Sequence, residues 1–386
     1  MNETLNRELV LLKDKGLLRS LRTVASSQGR EIVLDGQRIL NFCSNDYLGF
    51  AGDARIIEAA RFAMDVRGFG AGASRLVCGN FDEHAALEAE LAVYKNAEAA
   101  LLFSTGYMAN VGIISALVGR EDVVLCDRLV HASILDGIVL SRAGMKRYPH
   151  NDMVELKNVL ESVKRARRRL IVTESVFSMD GDTAPLEELA ALAKKYDAWL
   201  MVDEAHAVGV FGKSGAGMVE EFGIMDKIDI QMGTLSKAAG SFGAYAAGSR
   251  TLIDYLVNTA RSGIFSTALP PSVAAAGREA LRLMSREPWR RERVRSLAVV
   301  LRQELKRLGL DVKDGITPII PVMVGDADRA VRWSKALLNE GVFVSAIRPP
   351  TVPAGTARLR VTVTAAHTDE DLERCVLAFR KVMAHG

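Results

Sequence analysis

The sequence predicts an α/β fold with a mostly parallel sheet flanked by helices. Three short apolar runs, at 123–127, 169–173 and 198–202, are separated from one another by segments with helical patterning. Nearly continuous apolar runs are typical of strands buried on both faces, as in a parallel sheet covered by helices. Two further runs, at 228–232 and 244–248, are too close together for a helical crossover, which makes one of them a candidate antiparallel strand.

The remaining patterns place elements around this sheet. Leu5, Leu9, Leu12 and Leu17 have near-helical spacing, which predicts a helix over about 1–20. The dipeptide Asp35-Gly36 predicts a hairpin turn. Helices are expected at 83–95 and 107–118, with a strand at 99–104 between them.

A charged helical stretch at 285–308 precedes a second set of strands and helices. We therefore expect three parts: an N-terminal helix and hairpin segment (1–50), a large domain (51–284) and a smaller C-terminal α/β domain (285–386).

Composition excludes several classes of protein. The 386 residues are 49% hydrophobic and 25% charged, with a net charge of +3, which gives no electrostatic argument for nucleic-acid binding. No apolar span approaches the length of about 18 residues that crosses a bilayer, and the charged segment 1–20 does not resemble a signal peptide. We expect a cytoplasmic protein. The four cysteines are far apart and predict no metal site or redox dithiol: Cys43, Cys78, Cys126 and Cys375.

Lys237 is the leading candidate for a reactive side chain. It follows the apolar run 228–232 and lies among small residues, in Gly-Thr-Leu-Ser-Lys-Ala-Ala-Gly. Desolvation among apolar atoms makes a lysine amine nucleophilic, able to form a Schiff base with an aldehyde. A solvated loop lysine is the alternative for the residue taken alone.

Other polar residues follow the ends of the apolar runs, where ligands bind in open α/β sheets. Their types suit pyridoxal phosphate (PLP). Asp203 would keep the pyridine nitrogen protonated, His206 would donate to the ring hydroxyl, and His131 would stack on the ring. The amides of Gly106 and Tyr107 at a helix N-terminus, with the Thr234 hydroxyl, suit the phosphate, and Ser178 follows another strand. Individually, Asp203 could cap a helix, His131 could be a satisfied buried histidine and Ser178 could be a turn residue.

Two nucleotide-binding patterns compete with this interpretation. Asp-Glu-Ala-His at 203–206 and the relaxed phosphate-loop match at 207–214 suggest a nucleotide hydrolase. One strand cannot supply both motifs in this order, and a phosphate loop must open a helix. The glycines at 68–72 lack a preceding strand and have the wrong spacing for a dinucleotide loop.

Four motifs resemble the α-oxoamine synthases, a family of homodimeric fold type I PLP enzymes. They are Ser-Asn-Asp-Tyr-Leu-Gly at 44–49, Gly-Ala-Ser-Arg-Leu at 72–76, Val-Asp-Glu-Ala-His at 202–206 and Gly-Thr-Leu-Ser-Lys at 233–237. The resemblance extends from about 19 to 367. It implies the fold type I PLP-transferase fold and the decarboxylating condensation of an amino acid with an acyl thioester.

Segments 348–360 and 364–367 are most similar to members that join L-alanine to a pimeloyl thioester, carried on CoA or on acyl carrier protein. Sibling enzymes that join glycine to acetyl-CoA remain an alternative. The resemblance implies that Lys237 moves the Cα proton and that Arg360, assisted by Asn45, holds the amino-acid carboxylate. It further implies that Arg19 and Thr351 lie on the substrate path, and that Ser266 and Thr267 reach the phosphate in the partner subunit.

Overall fold

The computed structural model describes residues 1–385. Its helices, in chain order, are α1 (Asn2–Asp14), α2 (Ala54–Arg67), α3 (Asp82–Tyr94), α4 (Gly106–Leu117), α5 (Ala132–Ser141), α6 (Met153–Ser162), α7 (Leu186–Lys195), α8 (Met218–Glu221), α9 (Arg250–Thr259), α10 (Arg261–Ile264), α11 (Pro271–Arg286), α12 (Pro288–Arg307), α13 (Ala327–Asn339) and α14 (Asp369–His385).

The strands, in the same order, are β1 (Glu31–Leu34), β2 (Gln37–Asn41), β3 (Ala99–Phe103), β4 (Val123–Asp127), β5 (Gly144–Tyr148), β6 (Arg169–Glu174), β7 (Trp199–Asp203), β8 (Ile230–Thr234), β9 (Ala244–Gly248), β10 (Ile319–Gly325), β11 (Val342–Phe343), β12 (Ser345–Ile347) and β13 (Ala357–Thr362).

The chain divides into two compact units. The large unit comprises Asp46–Ser178 and Asp182–Glu292. Within the described residues its sheet has seven strands in the order β3-β9-β8-β7-β6-β4-β5. The pairs from β8 through β7, β6 and β4 to β5 are parallel, and β9 is antiparallel to both of its neighbours. The expectation of a mostly parallel sheet with one antiparallel strand is therefore confirmed, and that strand is β9.

Burial explains which strands the sequence revealed. The last four residues of β4 and of β7 are buried, and both strands coincide closely with apolar runs. Strand β5, with sequence Gly-Met-Lys-Arg-Tyr, was not predicted. It lies at the sheet edge with only Tyr148 buried, so the apolar pattern of an internal strand is absent there.

The small unit comprises Met1–Asn45, Met179–Gly181 and Arg293–Gly386. Strands β1 and β2 form the predicted hairpin, with Asp35 and Gly36 both at positive φ (50° and 83°), and β11 pairs parallel to β2. A second sheet has the antiparallel order β10-β13-β12. This sheet carries Arg360 on its central strand, β13.

Two helix predictions need correction. Helix α1 ends at Asp14 rather than near residue 20, because Gly16, which follows the C-cap residue Lys15, adopts a left-handed conformation with φ +65°. The predicted helix at 285–308 is interrupted: α11 ends at Arg286 and Pro288 begins α12, since proline favours the first helical position and terminates a preceding helix.

Among the helices of residues 1–385, none has the combination of length and apolar character needed to cross a bilayer.

A fully buried ion pair lies directly behind the end of β7. The ammonium of Lys95 donates to the Glu204 carboxylate and to the Ala216 carbonyl, and both charged side chains are 0% exposed. Glu204 also accepts from the Val219 N–H at 2.9 Å. Because Glu204 follows Asp203, this pair fixes the chain where β7 ends.

We expect Lys95→Met to lower the free energy of unfolding by about 3–5 kcal/mol, because it leaves the Glu204 charge buried and uncompensated. Urea titration monitored by circular dichroism measures the loss. Adding Glu204→Gln should recover part of it. The control is Lys164→Met, which removes an exposed pair with Glu161 and should cost about 0–1 kcal/mol. Equal losses in the two single variants would contradict the expectation.

Candidate active site

The parallel register brings charged and polar residues to one edge of the large sheet. Glu174, Asp203 and Thr234 are the last residues of β6, β7 and β8. Glu174 pairs with Asp203 across β6 and β7, and Asp203 pairs with Met232 across β7 and β8. Lys237 follows three residues after Thr234. Asp203, Thr234 and Lys237 were named from the sequence, whereas Glu174 was not, because the predicted strand ended at residue 173.

Lys237 lies at one end of a chain of hydrogen bonds. Its Nζ is 2.9 Å from Nε2 of His206, and Nδ1 of His206 is 2.7 Å from the hydroxyl of Tyr47. Tyr47 is 0% exposed and His206 is 5% exposed. The buried tyrosine therefore fixes the imidazole, and the imidazole in turn orients the lysine amine.

Asp203 is a buried carboxylate whose hydrogen-bond donors within residues 1–385 are neutral. Its Oδ2 accepts from Nδ2 of Asn110 at 2.8 Å, and its Oδ1 accepts from the Ala205 N–H at 2.9 Å. Nδ2 of Asn110 also donates to Oγ of Ser133 at 3.0 Å. Buried charges are normally paired, so a carboxylate held only by neutral donors suits a positively charged ligand.

Asn110 was missed by the sequence argument. It lies on the buried face of the strongly apolar helix α4, and its Oδ1 is buried with no partner in the described part of the chain. A polar residue inside Gly-Tyr-Met-Ala-Asn-Val-Gly-Ile-Ile is the signal that could have revealed it.

His131 caps the N-terminus of α5 next to this group. Its Nδ1 is 2.7 Å from Oγ of Ser133, and its backbone N–H donates to Oε1 of Glu174 at 2.6 Å. Desolvation lowers the pKa of His131; the Asp203 carboxylate opposes this effect and the Lys237 charge adds to it. The lowered pKa favours the neutral imidazole of His131. A neutral imidazole can stack on another aromatic ring without the cost of desolvating a charge.

The segments proposed for phosphate binding surround this edge. Gly106 opens α4 with Thr105 as its N-cap, so the N–H groups of Gly106 and Tyr107 have no acceptor within the helix. A Cβ on Gly106 would lie 3.3 Å from Cε of Met232, so a larger residue would crowd this turn. The Thr234 hydroxyl is 2.6 Å from that of Ser236 and donates to the Gly243 carbonyl at 2.8 Å. Ser178 is 7% exposed in the loop after β6, and Tyr107 is 48% exposed.

Ser266 and Thr267 lie elsewhere in the large unit. They follow α10, and Thr267 forms an isolated antiparallel bridge with Ser74. The structure places them outside the hydrogen-bonded group around Lys237 and Asp203.

The remaining predicted site residues belong to the small unit. Arg360, on β13, is 6% exposed, and its Nη2 donates to Oδ1 of Asn45 at 3.1 Å. Nη2 of Arg19 donates to Oγ1 of Thr351 at 3.4 Å on the surface of the unit. Both residue pairs named from the sequence are thus in direct contact.

The donor set of the large unit fits PLP. Lys237 offers an amine for the aldehyde, Asp203 a buried carboxylate without a cationic hydrogen-bond donor for a protonated pyridine nitrogen, and the start of α4 an anion site for the phosphate. The fold and this donor set define the class: a fold type I PLP enzyme with a large, mostly parallel sheet.

Comparison with known proteins supports this class. Residues 37–379 match the family model described as aminotransferase class I and II. The chain is 52% identical over 384 residues to the 8-amino-7-oxononanoate synthase of Geobacter sulfurreducens, covering 99% of this chain and 98% of the relative.

Two solved structures are also similar. Serine palmitoyltransferase from S. paucimobilis, carrying bound PLP–myriocin, superposes with a TM-score of 0.94 at 34% identity over 99% of this chain and 97% of that one. The 8-amino-7-oxononanoate synthase of Francisella tularensis gives 0.78 at 30% identity, over 90% of this chain and 98% of that one. The chain belongs to the class I and II aminotransferase family and, within it, to the 8-amino-7-oxononanoate synthases.

The nucleotide-hydrolase alternative is not supported. The backbone N–H groups that a phosphate loop would offer are occupied by carboxylates: Gly212 donates to Glu221 at 2.7 Å, and Ser214 and Ala216 donate to Glu220 at 3.0 and 2.9 Å. No helix begins at Ser214; the next helix, α8, begins at Met218.

A third histidine, His150, holds the loop that carries Ser178. Nδ1 of His150 is 3.1 Å from both carboxylate oxygens of Asp127, and its Nε2 is 2.7 Å from Asp182. The ring also packs edge-on against Phe177, with centroids 4.5 Å apart. Burial would lower the pKa of His150, but hydrogen bonds to the two carboxylates outweigh it and raise the pKa to about 10.

We expect His150→Gln to destabilise the protein most at low pH. Because the folded-state pKa lies above the ordinary value of 6.5, the charged ring stabilises the fold fully below about pH 6.5, and this contribution is lost as the pH rises through about 10. Melting temperatures of both proteins at pH 6, 8 and 10 measure the effect. A difference that stays the same at all three values would contradict it.

Proposed function

We propose that this chain catalyses the decarboxylating condensation of L-alanine with a pimeloyl thioester in biotin biosynthesis. The products are 8-amino-7-oxononanoate, CO2 and a free thiol, and the thioester is carried on CoA or acyl carrier protein. The observation that carries the proposal is the Lys237 amine, held 2.9 Å from His206 at the strand edge that also presents buried Asp203. The chain is 52% identical, over 99% of its length, to a relative named 8-amino-7-oxononanoate synthase, and this similarity supports the substrate class.

PLP, when bound, supplies an electron sink for negative charge at the amino-acid Cα. Lys237 would join the cofactor aldehyde and, once released from it, take and return the proton at Cα. His206 orients the amine through its 2.9 Å contact and is itself held by Tyr47. Asp203 would hold the protonated ring nitrogen, and His131 would lie against the ring.

The phosphate would be held by backbone N–H groups and hydroxyls. We assign to it the amides of Gly106 and Tyr107 at the start of α4, together with the side chains of Ser178 and Thr234. Helix N-termini bind anions because their first N–H groups have no partner within the helix.

The small unit would supply the groups that recognise the substrate. Arg360 would bind the amino-acid carboxylate, with Asn45 fixing the guanidinium by the 3.1 Å hydrogen bond. Arg19 and Thr351, 3.4 Å apart, would contact the acyl substrate. Condensation of glycine with acetyl-CoA is the sibling activity against which this assignment must be tested.

We further propose that the enzyme acts in the cytoplasm as a homodimer. Large apolar side chains remain exposed on the large unit, among them Phe62 68%, Phe69 76%, Leu76 58%, Val77 78% and Phe265 71%. The segments that carry Leu76, Val77 and Phe265 are joined, since Ser74 bridges Thr267 and the Ala268 N–H donates to the Ala73 carbonyl at 3.0 Å. An exposed apolar surface of this kind fits a second copy of the chain. Ser266 and Thr267 adjoin this surface, which supports their assignment to the partner's phosphate site.

The function is tested by thiol release. Purified protein with PLP should absorb in the visible and release thiol when given L-alanine and pimeloyl-CoA. Lys237→Ala should lose the visible band after dialysis against amino acid and lose activity by at least about 10³-fold, since its amine both joins the cofactor and moves the proton. Crossing alanine, glycine and serine with pimeloyl-CoA, acetyl-CoA and pimeloyl carrier protein identifies the substrates. Preference for glycine and acetyl-CoA would favour the sibling activity. Wild-type protein that gains no visible absorbance when PLP is added would refute the proposal.

The dimer is tested with paired valine variants. We expect wild-type protein to sediment at twice the 41.9 kDa chain mass, and Val77→Asp to weaken dimerisation by at least about tenfold, because a charge would be buried in the interface. Val154→Asp is the matched control, since Val154 is 73% exposed on α6 and lies outside the proposed surface. A monomeric wild-type protein, or equal effects of the two variants, would argue against this interface.

A further inference from the structure

Glu174 is a buried acid for which the proposed mechanism has no role. It ends β6 and is 3% exposed, beside Asp203, which is 5% exposed. The two residues are register partners in parallel strands, so their side chains point to the same side of the sheet. Two buried carboxyl groups at adjacent strand ends repel each other if both are charged.

The carboxyl group of Glu174 connects two loops of the candidate site. Its Oε1 accepts the backbone N–H of His131 at 2.6 Å, which fixes the end of the loop between β4 and α5. It also accepts a backbone hydrogen bond from Ser178, in the loop that follows β6. One side chain therefore sets the positions of the proposed ring-stacking residue and of a proposed phosphate ligand.

The surroundings of Glu174 favour its neutral form. Burial raises the pKa of Glu174 to about 8, and the nearby Asp203 charge acts in the same direction, while Lys237 and the two backbone N–H donors oppose it. The groups that face it are Asp203, Lys237 and His131. Burial and the Asp203 charge therefore favour the protonated form, whose carbonyl oxygen still accepts a hydrogen bond.

We propose that Glu174 is a positioning residue that holds His131 and Ser178 through one protonated carboxyl group, which leaves Asp203 as the negative charge at this strand edge. The inference rests on the proposed function only in assigning His131 and Ser178 to PLP. The contacts themselves do not depend on it.

Glutamine and alanine at position 174 are both neutral, but only glutamine keeps a hydrogen-bond acceptor. Comparing the two variants therefore tests whether Glu174 acts by accepting the backbone hydrogen bonds. The amide of Glu174→Gln is neutral and keeps an acceptor oxygen at the same reach, so it should preserve PLP affinity to within about threefold. Glu174→Ala leaves two backbone N–H groups buried without an acceptor and should weaken PLP binding by about 10–100-fold. Titration of the visible band, or retention of PLP on dialysis, measures this.

Melting temperature against pH gives a test that requires neither PLP binding nor turnover. Because the folded-state pKa is raised above the ordinary value of 4.5, the proton on Glu174 stabilises wild-type protein fully below about pH 4.5, and this contribution is lost as the pH rises through about 8. The melting temperature of wild type relative to Glu174→Gln should thus fall from pH 5 to 8 and then level off.

The matched control is Glu187→Gln, an exposed glutamate on α7 for which no such fall is expected. The inference would be overturned if the difference in melting temperature between wild type and Glu174→Gln did not change with pH. It would also be overturned if Glu174→Gln bound PLP as weakly as Glu174→Ala. If Glu174→Ala does not fold, the glutamine comparison still decides the outcome. If the proposed function is wrong but this inference is right, wild-type protein will not release thiol in the presence of alanine. The melting-temperature difference between wild type and Glu174→Gln will still change with pH.

Discussion

The parallel register of β6, β7 and β8 is the constraint on which the candidate site depends. Parallel strands end at the same edge, so Glu174, Asp203 and Thr234 come together although they are far apart in sequence. Lys237 follows only three residues later. A shift of one residue in any of these strands would turn its terminal side chain to the opposite face of the sheet. Backbone pairing therefore fixes Glu174, Asp203 and Thr234, and the loops that carry His206 and Lys237 begin from these fixed strand ends.

Gathering acids at a buried edge requires that most of their charge be compensated. Glu204 is neutralised by Lys95, and Gly217 makes room for its carboxylate: a Cβ there would lie 2.5 Å from Oε1, at a φ of +119°. Asp203 differs because its hydrogen-bond donors within the described residues are neutral amides. Asp203 thus presents a buried carboxylate held by neutral donors at the point where a protonated pyridine would bind.

The sequence predicted the parts of this arrangement that leave a local pattern. Strands β4 and β7 follow from apolar runs, and β9 follows from the short spacing before it. Edge strand β5 has no such pattern, because most of it is exposed. Lys237 was identified by its small neighbours. The contact of Tyr47 with His206 spans 159 residues and that of Asn110 with Asp203 spans 93, and such pairings are created only by the tertiary fold.

The proposed site residues differ in burial, which bears on how chemistry and specificity would be divided among them. Asp203, His206 and Tyr47 are buried and closely hydrogen-bonded, which keeps them in one arrangement before any ligand binds. Arg19 and Thr351, in the small unit, are exposed and joined by a hydrogen bond of 3.4 Å, long enough to be weak. Replacing a weak exposed contact costs little free energy. A family can therefore keep its buried reaction chemistry while its exposed residues change to accept a different acyl group.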